Sequence, residues 1–327
     1  MKKVLLFSIT ILLSFSCLAQ VNIGRSVQPT NLYIRNIEDS HFDALENSTT
    51  HFIVPASLDF ETTKQIITDV WTYNSIVFIP SENYVEDDLM IKGNTVIRIH
   101  DTGYSMEREH NGQTRTVGTW FAYKFELIHY ENVTVNKKGK IKPETLELAD
   151  VIFTPSMRYR YEMQPGYEKK KAENIKDEPD IYNFQLGFIK NYFQILNRTL
   201  TVRRTLDLEK KFSDKSKLIL LKDQVLFAPD WILKQVHPFT GQMTKILEPD
   251  DIFKTYDFSY KLISAEKIND KILNGEAFYY LMHTQFNEHQ ILSIIHSVNG
   301  EILYSAEKKS YNISSWDLKA LNKAISK

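Results

Sequence analysis

The chain holds one cysteine, Cys17, and it lies in an N-terminal segment whose pattern predicts removal. Residues 1–20 read MKKVLLFSITILLSFSCLAQ: two lysines, an apolar run and a small-residue ending, which is the pattern of a secretory signal peptide. Cleavage after Ala19 removes the signal peptide, residues 1–19, and leaves a mature chain without cysteine. Such a chain has no disulfide, thiolate metal site or cysteine nucleophile, so buried side chains must hold its fold together.

Cys17 leaves a second processing route open, because a bacterial lipoprotein also carries an acylated cysteine after its apolar run. The preceding Ser14-Phe15-Ser16 departs from lipoprotein signals, since Phe15 is larger than the residues they favour. The sequence therefore predicts an exported protein that is periplasmic or associated with the outer membrane. A lipid anchor at Cys17 is the alternative.

The charge of the mature chain gives no sign of a nucleic-acid partner. Removing Lys2 and Lys3 takes the formal net charge from −1 to −3, whereas nucleic-acid binding requires a basic surface. The leader's apolar run is shorter than the roughly 20 residues of a spanning helix, and no later segment is long and uncharged enough. We therefore expect no transmembrane segment after signal cleavage.

Charged residues crowd the middle of the chain, where RYRYEMQPGYEKKKAENIKDEPD at 158–180 has little apolar periodicity. Such a composition is typical of a linker or a long surface loop. The sequence therefore predicts an α+β protein with mixed, mostly antiparallel sheets and flanking helices, in two lobes. The N-terminal lobe covers 20–164, the charged linker or surface loop 165–181 and the C-terminal lobe 182–327.

The N-terminal lobe begins with a strand-helix-strand unit, HFIVPASLDFETTKQIITDVWTYNSIVFIP at 51–80. A nucleotide site on such a unit needs glycines before the helix, because the backbone must approach phosphate closely. The connection at 55–59 has none, and Asp59 at the helix start occupies the N–H groups that would bind an anion. The unit is interpreted as an N-capped helix packed on a sheet.

A β-meander is predicted next, from the strand-like segments NTVIRIHD, YSMERE and RTVGTWFAYKFELIHY, with a tight turn at Asn111-Gly112. In the last strand apolar and charged residues alternate, Phe125 and Leu127 with Lys124 and Glu126. Such alternation is typical of a strand that is buried on one side only.

The C-terminal lobe is predicted to contain an amphipathic helix, a three-stranded meander and a terminal helix. NFQLGFIKNYFQILNRTL has apolar residues at helical spacing, while KLILLK and QVLFAP read as strands. Ser264 caps a helix, AEKINDKIL, that ends at Asn274-Gly275. AFYYLMHTQFNEHQILSIIHSVNGEILYS forms the meander. The terminal helix, ISSWDLKALNKAISK, starts at Ser314 or Ser315 and buries Trp316, Leu318 or Ala320, Leu321 and Ile325.

Two short motifs resemble catalytic sequences. Asp101-Thr102-Gly103 is the tripeptide of aspartic proteases, but those enzymes need two such loops and this chain holds one unless it dimerises. A hairpin turn with Gly103 at positive φ is the favoured interpretation. Ser105 follows a glycine as in the nucleophile elbow of serine hydrolases, but the second glycine of that motif is missing, so we interpret Ser105 as a strand residue.

Metal and paired-carboxylate sites are weaker candidates. His283, His289 and His296 lie in the meander without a known ligand spacing, so hydrogen-bonded strand histidines are favoured over a zinc or copper site. The acidic clusters 86–88 and 248–251 join sequence neighbours, which do not by themselves span a cleft as catalytic carboxylates do. In the second cluster, a helix cap at Asp250 or Asp251 is favoured. The sequence assigns no catalytic, cofactor-binding or metal-binding residue.

Aromatic residues make up 12% of the chain, which suits either a β-rich core or a face that binds a sugar or a protein. Core packing is the favoured interpretation. The residues considered for a binding face are Trp71, Tyr73, Trp120, Tyr123, Trp231, Tyr279 and Tyr280.

The order of segments resembles a set of uncharacterised secreted proteins of Bacteroidota-type bacteria. The resembling segments are FIVPASLDFETTKQIITDVWTYNSIVFIP, LGFIKNYFQILNRTL, LILLKDQVLFAPDWILK and SIIHSVNGEILYS, together with the signal ending CLAQ. The resemblance implies a bacterial cell-envelope setting and transfers no activity. The leading hypothesis is a non-catalytic protein that binds a protein or glycan partner. The alternative is a hydrolase of peptide or glycan whose site assembles only in three dimensions.

Overall fold

The computed structural model describes residues 21–24, 37–110, 113–156, 159, 181–206, 211–237, 243–286 and 289–327, with the backbone alone for 101–110, 114–122 and 286. The strands are β1 (Val21–Ile23), β2 (Thr49–Val54), β3 (Ser75–Pro80), β4 (Thr95–His110), β5 (Gln113–Val135), β6 (Ile141–Phe153), β7 (Phe212–Ser213), β8 (Leu226–Pro229), β9 (Lys234–Val236), β10 (Met243–Ile246), β11 (Tyr260–Ile263), β12 (Tyr279–Phe286), β13 (His289–His296) and β14 (Glu301–Lys308). The helices are α1 (Asp39–Glu46), α2 (Phe60–Val70), α3 (Glu86–Leu89), α4 (Leu186–Thr201), α5 (Lys215–Leu218), α6 (Pro249–Phe253), α7 (Ala265–Leu273) and α8 (Ser315–Ser326).

Two six-stranded sheets carry the fold, in the orders β1-β6-β5-β4-β2-β3 and β11-β8-β12-β13-β14-β7. In the first sheet β2 is parallel to β3 and β4, and in the second β8 is parallel to β11 and β12. The other strand pairs are antiparallel. The predicted α+β class with mixed, mostly antiparallel sheets is therefore confirmed.

Helix α4 packs against both sheets. On one side Phe193 meets Phe52 and Trp71, at ring-centroid distances of 5.0 and 5.7 Å. On the other side Phe188 meets Tyr280 of the second sheet at 5.8 Å. One buried apolar cluster thus includes residues of both predicted lobes. The division into lobes remains a prediction, and the proposed linker lies outside the described residues except for its last position.

Local capping signals place several helices where the sequence predicts them. Asp59 accepts a hydrogen bond from the Thr62 backbone N–H at 2.9 Å, so α2 is N-capped as expected. Ser264 caps α7, and Gly275 at φ +72° follows its end. In α8 the predicted burial of Trp316 is wrong, because this side chain is 69% exposed.

Three other local expectations are corrected by the structure. KLILLK is helical, since α5 continues into a 3-10 helix at Ile219–Lys222. Asp101-Thr102-Gly103 is neither a protease loop nor a turn, because β4 runs through it and Gly103 pairs with Phe121. Lys124 and Glu126 of β5 do not face solvent, since they are only 5% and 6% exposed. Both faces of that strand are therefore buried from Lys124 to Tyr130.

Candidate functional site

A pocket of about 510 Å³ opens on the first sheet, near the carboxyl ends of β2 and β3. Parallel strands commonly hold ligands at this edge. Its lining combines apolar side chains with polar ones: Ile53, Pro55, Ala56, Ser81, Tyr84, Glu86, Arg98, Ile99 and His100.

The pocket forms because β2 ends while β4 continues. The two strands pair only from Thr50 opposite Thr95 to Phe52 opposite Ile97. Pro55 then follows β2, and proline has no N–H with which to extend a ladder. The next residues of β4, among them Arg98 and His100, therefore border a gap instead of another strand.

Arg98 is the best-fixed polar group of the pocket. It lies directly opposite Glu126 of β5, and its Nε donates to Glu126 Oε1 at 2.8 Å. Its Nη1 donates to the Tyr84 hydroxyl at 3.3 Å and to Glu86. Burial alone would lower the pKa of Arg98, but the hydrogen bonds to Glu86, Glu126 and Tyr84 outweigh it and raise the pKa above its usual range. The guanidinium is therefore a fixed positive charge.

His100 and Lys124 form the next row of the same face, since they are opposite each other on β4 and β5. His100 Nδ1 lies 3.7 Å from Glu126 Oε1. Lys124 forms an ion pair with Glu147 of β6. Burial lowers the pKa of Lys124, while Asp150 and Glu147 raise it, and the net direction is upward. A band of charged side chains thus crosses three strands.

The segment between β3 and β4 supplies the opposite wall. Tyr84, Leu89 and Met90 pack against a small buried cluster on this face of the sheet, which includes Ile53 and Val96. Burial raises the pKa of the Tyr84 hydroxyl, which therefore stays protonated at neutral pH. The wall is held by apolar packing, and it presents Tyr84 and Glu86 to the guanidinium.

Chemically, the pocket is equipped for recognition through hydrogen bonds and charge. The carboxylates of Glu86 and Glu126 both accept from Arg98, so neither is placed as a proton donor. Ser81 and His100 line the same pocket. Within the described ranges, however, no hydrogen bond joins them as a nucleophile and base require.

Of the candidate residues from the sequence, Glu86 lines this pocket, together with His100. Asp87 and Asp88 continue the first turn of α3. The side chains of Asp101 and Ser105 lie outside the described part. Far along the chain, the N-cap of α6 is Glu248, so the predicted cap at Asp250 or Asp251 is wrong by two or three positions, although Asp251 completes the capping box.

The three meander histidines have separate partners. His283 is buried and bonded to Gln290, at 2.8 Å from Nε2 to Oε1. His289 contacts Glu307, and His296 Nδ1 lies 3.0 Å from Asn299 Oδ1. These contacts fit the interpretation as hydrogen-bonded strand histidines. Across the described residues, no group of three His, Cys, Asp or Glu side chains is arranged to hold a metal ion.

The aromatic residues considered for a binding face differ in how deeply they are buried. Trp71, Trp231 and Tyr280 are buried in the core, at 4%, 6% and 0% exposure, so the core interpretation is right for these three. Tyr73, Tyr123 and Tyr279 are partly buried against the same core. The side chain of Trp120 lies outside the described part of the chain. None of the other six lines the pocket.

Arg98 and Glu126 were not identified as site residues from the sequence. The signal was present in the alternation of VIRIHD and YKFEL, which puts charged residues on one strand face. Only the register of β4 against β5 shows that Arg98 meets Glu126.

No family model, curated protein or solved structure matches this chain. Among the helices that the structure describes, none is long and apolar enough to cross a membrane.

Proposed function

We propose that the protein is an exported, non-catalytic protein of the bacterial cell envelope that binds a glycan or protein partner through the pocket beside Arg98. The observation that carries this proposal is the fixed guanidinium, which Glu126 and Tyr84 hold in place before any ligand arrives. A preorganised group loses little conformational freedom on binding, so more of its interaction energy appears as affinity.

The size and lining of the pocket support the same proposal. Its volume of about 510 Å³ falls within the range of about 300–1,000 Å³ typical of small-molecule sites. Ile53, Pro55 and Ile99 offer apolar surface, while Arg98 and His100 offer polar groups. This combination suits one sugar unit or the end of a peptide, each of which has apolar and polar sides.

A hydrolase is the second candidate, and the pair formed by His100 and Glu126 favours it. Glu126 Oε1 lies 3.7 Å from His100 Nδ1, beyond hydrogen-bond distance, and would have to move closer to orient that ring as a general base. Ser81 in the same pocket would then be the nucleophile. This candidate requires Ser81 to move into hydrogen-bond range of His100 when substrate binds.

A pocket-filling variant tests the binding function. Ala56 lines the pocket and is exposed, so Ala56→Trp should block the opening without disturbing the core. Calorimetric titration of the mature chain with envelope oligosaccharides and short peptides should show binding that this variant weakens at least about tenfold, or about 1.4 kcal/mol.

Ser57→Trp is the matched control, because Ser57 is the next residue, is exposed and does not line the pocket. It should retain the affinity. Equal binding by both variants would place the ligand elsewhere. Hydrolysis of any probe, lost in Ser81→Ala and in His100→Ala, would favour the enzyme.

A further inference from the structure

We infer that the group recognised in the pocket is a carboxylate, which takes the place of Glu86 on Arg98. This inference rests on the proposed function, because it names the ligand chemistry of the same site. A carboxylate of this kind is carried by a uronic-acid sugar or by the C-terminus of a peptide. Both present the same two oxygens to the guanidinium.

Arg98 has N–H donors that no described residue uses. A guanidinium carries five N–H donors. Nε is used by Glu126, and Nη1 by Tyr84 and Glu86. No residue that the structure describes accepts a hydrogen bond from Nη2, although the side chain is only 21% exposed. The guanidinium is therefore fixed on one side and incompletely satisfied on the other.

Glu86 is the replaceable partner. Its side chain is 47% exposed, against 8% for Glu126. It belongs to α3, a helix of only four residues. It meets Arg98 through a single oxygen, Oε1, on a single nitrogen, Nη1. Glu86 thus binds the guanidinium at the position that a ligand carboxylate would take, whereas Glu126 holds the guanidinium from the sheet.

A free carboxylate can make a better contact than Glu86 does. Two parallel hydrogen bonds to Nη1 and Nη2 give the bidentate geometry in which Arg–carboxylate pairs are strongest. His100, 42% exposed on the same face, is a further donor for an anionic ligand. The exposed Asp87 and Asp88 repel an anion, but water and salt screen such exposed charges. Direct contact with the guanidinium therefore outweighs them.

Matched acids and neutral analogues test this inference on the mature chain. The probes are glucuronate against glucose, and trialanine against trialanine amide, titrated to millimolar concentration by heteronuclear NMR. We expect one acid to shift pocket resonances saturably, and its neutral analogue to bind at least about tenfold more weakly. Whether glucuronate or trialanine binds separates the two sources of the carboxylate.

Glu86→Gln is the decisive variant, because it removes the negative charge that competes for Arg98 without touching the buried pair. We expect it to tighten binding of the acid severalfold. Glu82→Gln is the control, since Glu82 is an exposed acid of the same segment that does not line the pocket, and it should change the affinity less than twofold.

The outcomes separate the two proposals. Neutral analogues that bind as well as the acids, or weaker acid binding by Glu86→Gln, would overturn the carboxylate inference and leave the binding function standing. Absence of binding by all four probes to both the native chain and Glu86→Gln would count against both.

Discussion

The two faces of the first sheet are built from alternate residues of the same strands, yet they are buried for different reasons. On one face Phe125 of β5 packs against Phe52 and Phe153, at ring-centroid distances of 5.5 and 5.0 Å. On the other face its neighbour Glu126 binds Arg98. Both residues are nearly inaccessible, at 2% and 6% exposure.

Burial therefore stabilises the fold on the apolar face and costs free energy at the charged residues of the other face. Apolar area removed from water stabilises a fold by roughly 25 cal/mol per Å². Burying an ion pair costs desolvation energy that the attraction between the charges only partly recovers. We therefore propose that the apolar face holds the fold together, whereas the charged residues on the other face, beside its small apolar cluster, serve the pocket.

The largest effect should come from the apolar face. Phe125→Ala removes a ring that also meets Phe184 and Phe193 and leaves a cavity between the sheet and α4. The free energy of unfolding should fall by about 3–5 kcal/mol, the usual cost of such a truncation. Urea denaturation followed by circular dichroism measures it. A decrease of less than about 1 kcal/mol in the free energy of unfolding would show that the apolar face does not stabilise the fold more than the other face does.

A smaller loss is expected when one partner of the ionic face is removed. Glu126→Ala leaves Arg98 without its anchor in a partly buried position, at a cost of about 2–3 kcal/mol. This lies below the cost for a fully buried pair, because Arg98 keeps Glu86. The same denaturation experiment checks it. No measurable loss would show that water already solvates Arg98.

Local signals in the sequence predicted much of the fold. Ser264 and Gly275 fixed both ends of α7, because a cap and a positive-φ glycine act within one helical turn. KLILLK was assigned wrongly, since a short apolar run suits a strand and a buried helix equally. Asp101-Thr102-Gly103 has the composition of a turn, and only the tertiary pairing of β4 with β5 keeps this stretch extended.

The candidate site was less accessible to sequence reasoning than the fold. Glu86 belongs to a candidate acidic cluster, but 13 residues lie between it and His100 and no spacing rule joins the two. Their meeting depends on β2 ending early and on the segment after β3 folding back over the sheet. Arg98 and Glu126 become partners only through strand register.

The smallest expected effect is the pH dependence of stability that comes from His129, a residue on the apolar face of the first sheet. Burial lowers the pKa of His129, and His41 lowers it further while Glu131 raises it. The ring is neutral in the fold, where Nδ1 lies 3.0 Å from Thr95 Oγ1. Because the unfolded chain binds a proton more readily, this contribution to stability is full above the unfolded pKa of about 6.5 and is lost as the pH falls below it to the lower pKa of the folded state.

The urea midpoint should therefore fall modestly between about pH 7.5 and about pH 5.5, and His129→Gln should reduce that fall. An identical pH dependence in the variant would show that other groups cause it.

The double variant Arg98→Met with Glu126→Leu tests most directly whether the ionic face serves binding and not stability. It replaces both charges with apolar side chains of similar size, so the unfolding free energy should stay within about 1 kcal/mol of the native value or rise. Binding of the acidic probe, titrated on the same sample, should be lost. A variant as unstable as Phe125→Ala that still binds the probe would contradict the account, because the charged band would then be structural and the ligand site elsewhere.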